Sequence, residues 1–143
     1  MNGDQQGRAA AQITPHRYLQ EETMSQLHGI MTPDADGRLE PTEFVVPAKV
    51  VRGTPDESGY IYLASEDGKT VLGVWACGAY CERLENYPYN EMCTVIEGAV
   101  EITADSGVPK TYRAGDTFFM AKGFSGLWES RGRFKKYFMI CGS

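Results

Sequence analysis

Residues 90–104 read NEMCTVIEGAVEITA, and residues 110–141 continue KTYRAGDTFFMAKGFSGLWESRGRFKKYFMIC. Short β-branched and aromatic runs follow one another here, separated by turn signals such as Ala104-Asp105-Ser106-Gly107, with no helical apolar period between them. Working outward, TEFVVPAKVV, YIYLAS and TVLGVWAC carry the same texture back to residue 42, and EDGK at 66–69 supplies another hairpin-type turn. About nine strands without intervening helices predict an all-β fold, an antiparallel sandwich or barrel. No internal repeat or low-complexity segment interrupts it.

The N-terminal part differs. Residues 1–12 are polar, rich in Gly, Gln and Ala and without periodicity, which predicts a flexible arm. Thr14 as N-cap, Pro15 at the first helical position, Glu21 and Glu22, and Gly29 after the end predict a short helix over 14–28. Its apolar residues, Tyr18, Leu19, Met24 and Leu27, suit docking on a neighbour. Asp34, Asp36 and Gly37 lie in turn chemistry that lacks the remaining ligands of a calcium loop. The expected organisation is an arm with a short helix over 1–40 and a single domain over 41–143.

At 143 residues, 42% hydrophobic and 23% charged, the chain has enough material for one domain with a core of its own. The formal net charge of −5 argues against a nucleic-acid footprint, and the one basic cluster, Arg131, Arg133, Lys135 and Lys136, is short. No apolar run is long enough to cross a membrane, and the N-terminus lacks a signal-peptide apolar core, so a cytoplasmic location is expected. Cys77, Cys81, Cys93 and Cys141 fit no zinc-ribbon spacing and read as free thiols of a reducing compartment. The two histidines, His16 and His28, precede every strand, which excludes a site built on three imidazoles of one protomer.

The segment from Glu91 to Gly98, a Glu-x6-Gly unit, together with Gly115-Asp116 and Gly123, resembles the two signature motifs of the cupin superfamily. Gly73-Val74-Trp75, Tyr87, the run GFSGLWE at 123–129 and Lys136-Tyr137-Phe138 further resemble the ureidoglycine aminohydrolase-type and ethanolamine-utilisation Q-type cupins. Over about residues 60–141 this resemblance implies a small double-stranded β-helix barrel of jelly-roll type, and it makes a homodimer the default assembly. It also implies a metal-dependent hydrolase or, through the Q-type proteins, a phosphoryl-transfer enzyme; no phosphate-binding glycine loop accompanies the latter.

The motif frame places three of the four usual metal-ligand positions at Glu85, Tyr87 and Gly126, with Glu91 at the fourth. A carboxylate, a phenol and a residue without a side chain replace three imidazoles, so no Fe, Mn, Ni or Zn centre and no other cofactor is expected. That loss counts against a metal-dependent ureidoglycine aminohydrolase-like activity.

Strand alternation puts Glu91, Cys93 and Val95 on one face, Gly126, Trp128 and Ser130 on another, and Lys136 with Phe138 on a third. Glu91 without a metal, among aromatic residues, is desolvated in the way that suits a general acid or base; its alternative role is an internal network with Lys136 or Tyr87. Lys136 is either an anion contact or part of the basic patch. Tyr87 is a donor at a pocket mouth or loop packing, and Trp75 and Trp128 are pocket walls or core. Glu85, Cys93, Ser130 and Phe138 complete the expected ligand-binding set, Cys93 without a histidine near it to act as an activating base.

The first functional reading is a metal-independent cupin that binds a small carboxylated or nitrogen-containing metabolite, with Glu91, Tyr87 and Lys136 available for lyase, isomerase or hydrolase chemistry. The second is a non-catalytic ligand-binding or structural protein whose interior is filled by Trp, Phe and Met. A wet cavity of about 300 Å³ or more around Glu91 favours the first, and a packed interior the second.

Overall fold

The protein is described from a computed structural model that places residues 32–33 and 38–142. The arm and helix expected over 1–28 lie outside the described residues. Eleven strands follow in order: β1 (Glu40–Pro41), β2 (Val50–Gly53), β3 (Ser58–Ala64), β4 (Thr70–Cys77), β5 (Tyr80–Leu84), β6 (Asn90–Glu97), β7 (Ala99–Ala104), β8 (Lys110–Arg113), β9 (Thr117–Met120), β10 (Gly126–Ser130) and β11 (Phe134–Cys141). One 3₁₀ turn, Pro47–Lys49, precedes β2. Among the described residues no helix is long and apolar enough to cross a membrane.

The strands form two antiparallel sheets, one in the order β1-β3-β4-β11-β6-β9 and the other β2-β5-β10-β7-β8. Alternation along each strand decides which side chains enter the space between them. On β6 Glu91, Cys93 and Val95 are buried while their neighbours Asn90, Met92 and Thr94 are more exposed. On β10 Gly126, Trp128 and Ser130 are buried, and on β11 Lys136, Phe138 and Ile140. The sheets meet through aromatic rings: Trp75 of β4 lies 5.7 Å from Trp128 of β10, and Trp128 lies 5.3 Å from Phe134 of β11. These edge-to-face pairs, with Tyr80 at 5.2 Å from Trp128, fill the middle of the core.

β5 was not among the runs read as strands, one run departs from the sequence reading, and one register shift is added to it. TEFVVPAKVV does not run as one strand, because Pro47 has no N–H for a ladder and starts the 3₁₀ turn instead. The backbone N–H groups of Phe44 and Val45 bond to the Glu57 carboxylate at 2.8 Å each, outside any sheet. The β6–β11 register also shifts between Lys135 and Lys136, which face Glu97 and Val95, so Ile96 is the extra residue of a bulge. Both lysines are buried, Lys135 beside Glu97 at 3.5 Å and Lys136 in the interior.

Candidate ligand site

At one end of the inter-sheet space lies a cavity of about 120 Å³. Its walls come from Trp75 on β4, Trp128 on β10 and Phe138 on β11, and its charged groups are Glu82, Glu91, Lys136, Lys49 and Glu85. Glu85, with a side chain 70% exposed and 3.6 Å from Arg83, marks where the cavity meets solvent.

Adjacent strands bring the main polar cluster together. Ile140 is the residue opposite Glu91 and Phe138 the one opposite Cys93, so Lys136 reaches Glu91 along the inward face of β11. Lys136 Nζ donates to Glu91 Oε2 at 3.0 Å and contacts Cys93 Sγ at 3.5 Å. The Cys93 thiol donates to the same Oε2 at 2.9 Å, and the Tyr87 hydroxyl donates to Oε1 at 3.1 Å. The ammonium also sits 5.3 Å from the centre of the Trp75 ring, within cation–π reach.

Tyr87 is held by a backbone clamp between the β5–β6 and β9–β10 loops. Its N–H bonds to the Phe124 carbonyl at 2.8 Å and its carbonyl accepts from Gly123 at 2.7 Å. Asn86 adopts a left-handed conformation, φ +47, which turns the chain so that the clamp closes. The Asn86 N–H bonds to Ser125 Oγ at 2.9 Å.

Burial, followed by the Glu91 charge, holds the Tyr87 hydroxyl well above the ordinary phenol range. Burial likewise holds Cys93 well above a normal thiol; the Lys136 charge opposes this and Glu91 reinforces it, so the sulfur stays protonated at neutral pH. For Lys136 burial works against the ammonium, but its contacts with Cys93 and Glu91 outweigh that and raise its pKa. Because the thiol is neutral, the charge that stabilises the ammonium is the Glu91 carboxylate.

A second acid, Glu82 of β5, was not singled out in the sequence. Among the described residues it accepts one hydrogen bond, from the Tyr80 hydroxyl at 2.6 Å. Burial raises its pKa above the ordinary carboxylate value, against the lowering influence of Tyr80 and Lys136. The available signal was parity, since Tyr80 and Leu84 share its face and are buried. Glu57 was missed too, inside a stretch that reads as turn. Its carboxylate also accepts from Thr42 Oγ1 at 2.6 Å and from the Trp75 indole N–H at 3.1 Å, which ties the cavity wall to the segment carrying Phe44 and Val45.

Of the residues selected from sequence, Glu91, Lys136, Tyr87, Trp75, Trp128, Phe138 and Glu85 all line the cavity. Two do not. Cys93 sits behind Glu91 with 0% exposure, and Ser130 donates to the Gly78 carbonyl at 2.7 Å beside Cys77, deeper in the core. Both face inward as parity requires, but the cavity occupies only one end of the inter-sheet space.

Two facing antiparallel sheets with a charged cavity at one end define an all-β pocket domain of jelly-roll type. Residues 64–138, more than half of the chain, match the EutQ-like cupin domain family, and the chain belongs to that family. No curated protein matches it. Among solved structures, a protein of unknown function from Pseudomonas syringae pv. tomato is similar at 24% identity and TM-score 0.70, over 75% of this chain and 46% of that one. The chain thus spans less than half of that relative's length. A putative ethanolamine utilization protein Q from Salmonella typhimurium is similar at 18% identity and TM-score 0.53, over 60% of this chain and 69% of that one. The Clostridium difficile EutQ protein is similar at 16% identity and TM-score 0.52, over 61% and 63% of the two chains. At these identities the likeness concerns fold alone.

The residues at the usual cupin metal positions do not fit a metal centre. Among the described residues no group of three or more His, Cys, Asp or Glu side chains is placed to hold one. Gly126 has no room for a donor, since a Cβ there would run into the Thr103 carbonyl. Glu85 is turned to solvent, and the Lys136 ammonium already lies against Glu91 as its counter-charge.

Proposed function

We propose that this protein is a metal-independent cupin that binds a small polar metabolite, carboxylated or nitrogen-containing, in the cavity over the Glu91–Lys136 pair. The observation that carries the reading is a cavity with apolar walls and a few convergent polar groups, the arrangement of small-molecule sites. At about 120 Å³ it is smaller than the sequence reading sought. An apolar cavity of about 150 Å³ accommodates benzene, so the enclosed part of a ligand is limited to about six heavy atoms.

Glu91 serves here as an anchor. Three donors already occupy its two oxygens, and a free general base would need that capacity for substrate. Binding is therefore better supported than lyase, isomerase or hydrolase chemistry. The metal-dependent aminohydrolase-like reading draws no support from Glu85, Tyr87 and Gly126.

A thermal-shift screen of anionic, zwitterionic, cationic and neutral metabolites of about ten heavy atoms or fewer tests the reading. Compounds that raise the unfolding temperature of the wild type should lose their effect in Leu84→Phe, which fills the cavity from β5. A screen without a hit, or hits that survive the filling substitution, would refute it.

A further inference from the structure

The two acids Glu91, which is buried, and Glu82, which is half-buried, differ in what remains open to a ligand. Glu91 accepts from Tyr87, Cys93 and Lys136, and its charge is neutralised by an ammonium at 3.0 Å. Glu82 accepts only the Tyr80 hydroxyl, on Oε1, and Oε2 receives no hydrogen bond from any described residue. A half-buried carboxyl oxygen that no side chain or backbone donor holds is open to a donor from a ligand in the cavity it lines. Glu82 has no ion-pair partner within salt-bridge distance among the described residues.

The walls point the same way. Trp75, Trp128, Tyr80, Tyr87 and Phe138 line the cavity together with Glu82. Aromatic faces combined with a carboxylate favour a small organic cation, through ring quadrupole and charge-assisted hydrogen bond. The lining acids Glu82, Glu85 and Glu91 outnumber the cations Lys49 and Lys136. With Lys136 and Glu91 neutralising each other, an anion entering the cavity would meet Glu82 and Glu85 with, among the described lining residues, only Lys49 to receive it.

We infer that Glu82 is the ligand-contacting acid of the cavity and that the ligand presents a protonated nitrogen, donating to Glu82 Oε2 and lying against the Trp75 and Trp128 rings. This rests on the proposed binding function and narrows its ligand class to small amines.

Trp75 and Trp128 are the only tryptophans of the chain, and both line the cavity, so intrinsic fluorescence reports its occupancy. Propylammonium chloride and sodium propionate, titrated into the full chain at pH 7 and constant ionic strength, separate the charge types. Propylammonium should give a saturable emission change that Leu84→Phe abolishes, and propionate should give none. Glu82→Gln keeps an oxygen for the Tyr80 hydroxyl; it should weaken propylammonium binding by about tenfold or more without lowering the unfolding midpoint. Saturable binding of propionate in place of propylammonium, or equal propylammonium affinity in Glu82→Gln, overturns the assignment and leaves the binding function standing. No saturable response to either probe overturns both.

Discussion

Removing the Lys136 ammonium leaves Glu91 as a buried carboxylate with hydroxyl and thiol donors but no counter-charge. Breaking one side of such a pair costs about 3–5 kcal/mol, whereas replacing both partners with apolar groups of similar volume is far milder. Lys136→Met should therefore lower the unfolding free energy by about that amount, and adding Glu91→Leu should recover most of it. Urea denaturation of wild type, both single variants and the double variant gives the coupling; losses that simply add would show that the pair is not a unit. The inward setting of Glu91 followed from the cupin resemblance of the Glu91–Gly98 unit, and parity tied Lys136 to Phe138 while leaving open whether that face is inward or part of the basic patch. Glu82 was not, because Arg83 and Glu85 beside it make the segment read as a solvated charged run. Glu57 had no local signal at all, since its partners Thr42, Phe44, Val45 and Trp75 are brought together only by the fold.

Between β6 and β7 the chain turns at Gly98, whose φ of +75 lies in the left-handed region. A Cβ there would run into the Arg133 carbonyl, just before β11 delivers Lys136 to the interior. Gly98→Ala combines left-handed strain with a backbone collision, and a loss of about 2–4 kcal/mol is expected. Gly132→Ala is the control, because no atom lies within 4 Å of its Cβ position; it should stay within about 0.5 kcal/mol of wild type. Equal effects in denaturant titrations would refute the collision argument. Strand texture carried most elements correctly; it missed β5, whose YCERL run carries two charged residues, and it failed at TEFVVPAKVV, where β-branched residues surround a proline. Propensity alone does not show that the N–H groups of Phe44 and Val45 find a carboxylate instead of a neighbouring strand.

For the molecule as a whole, strand texture and turn glycines made the all-β class readable because they are local properties, whereas the inward faces of β6 and β11 followed from the cupin resemblance. How far aromatic packing closes the interior is a property of the assembled sheets, and so the cavity proved smaller than expected. That packing also sets the response to alkali. Burial, only partly offset by the Ser130 hydrogen bond, pushes the Cys77 thiol up to about 12 from about 9. Cys93, Tyr80 and Tyr87 are raised in the same direction, each first by burial. A group whose pKa is raised by folding contributes its full stability below its unfolded pKa and loses it as pH climbs toward the folded value. Lys136 has the same sign, its ion pair vanishing only when the ammonium deprotonates. Each ionising thiol then costs about 1.4 kcal/mol per pH unit once the unfolded chain begins to lose its proton. Unfolding free energies from urea titrations should be level between about pH 7 and 8.5 and fall by about 3 kcal/mol at pH 10, chiefly through Cys77 and Cys93. A curve that stays flat to pH 10 would mean that these thiols ionise as readily in the folded protein as in the unfolded chain, and that the interior around Glu91 and Lys136 is wet.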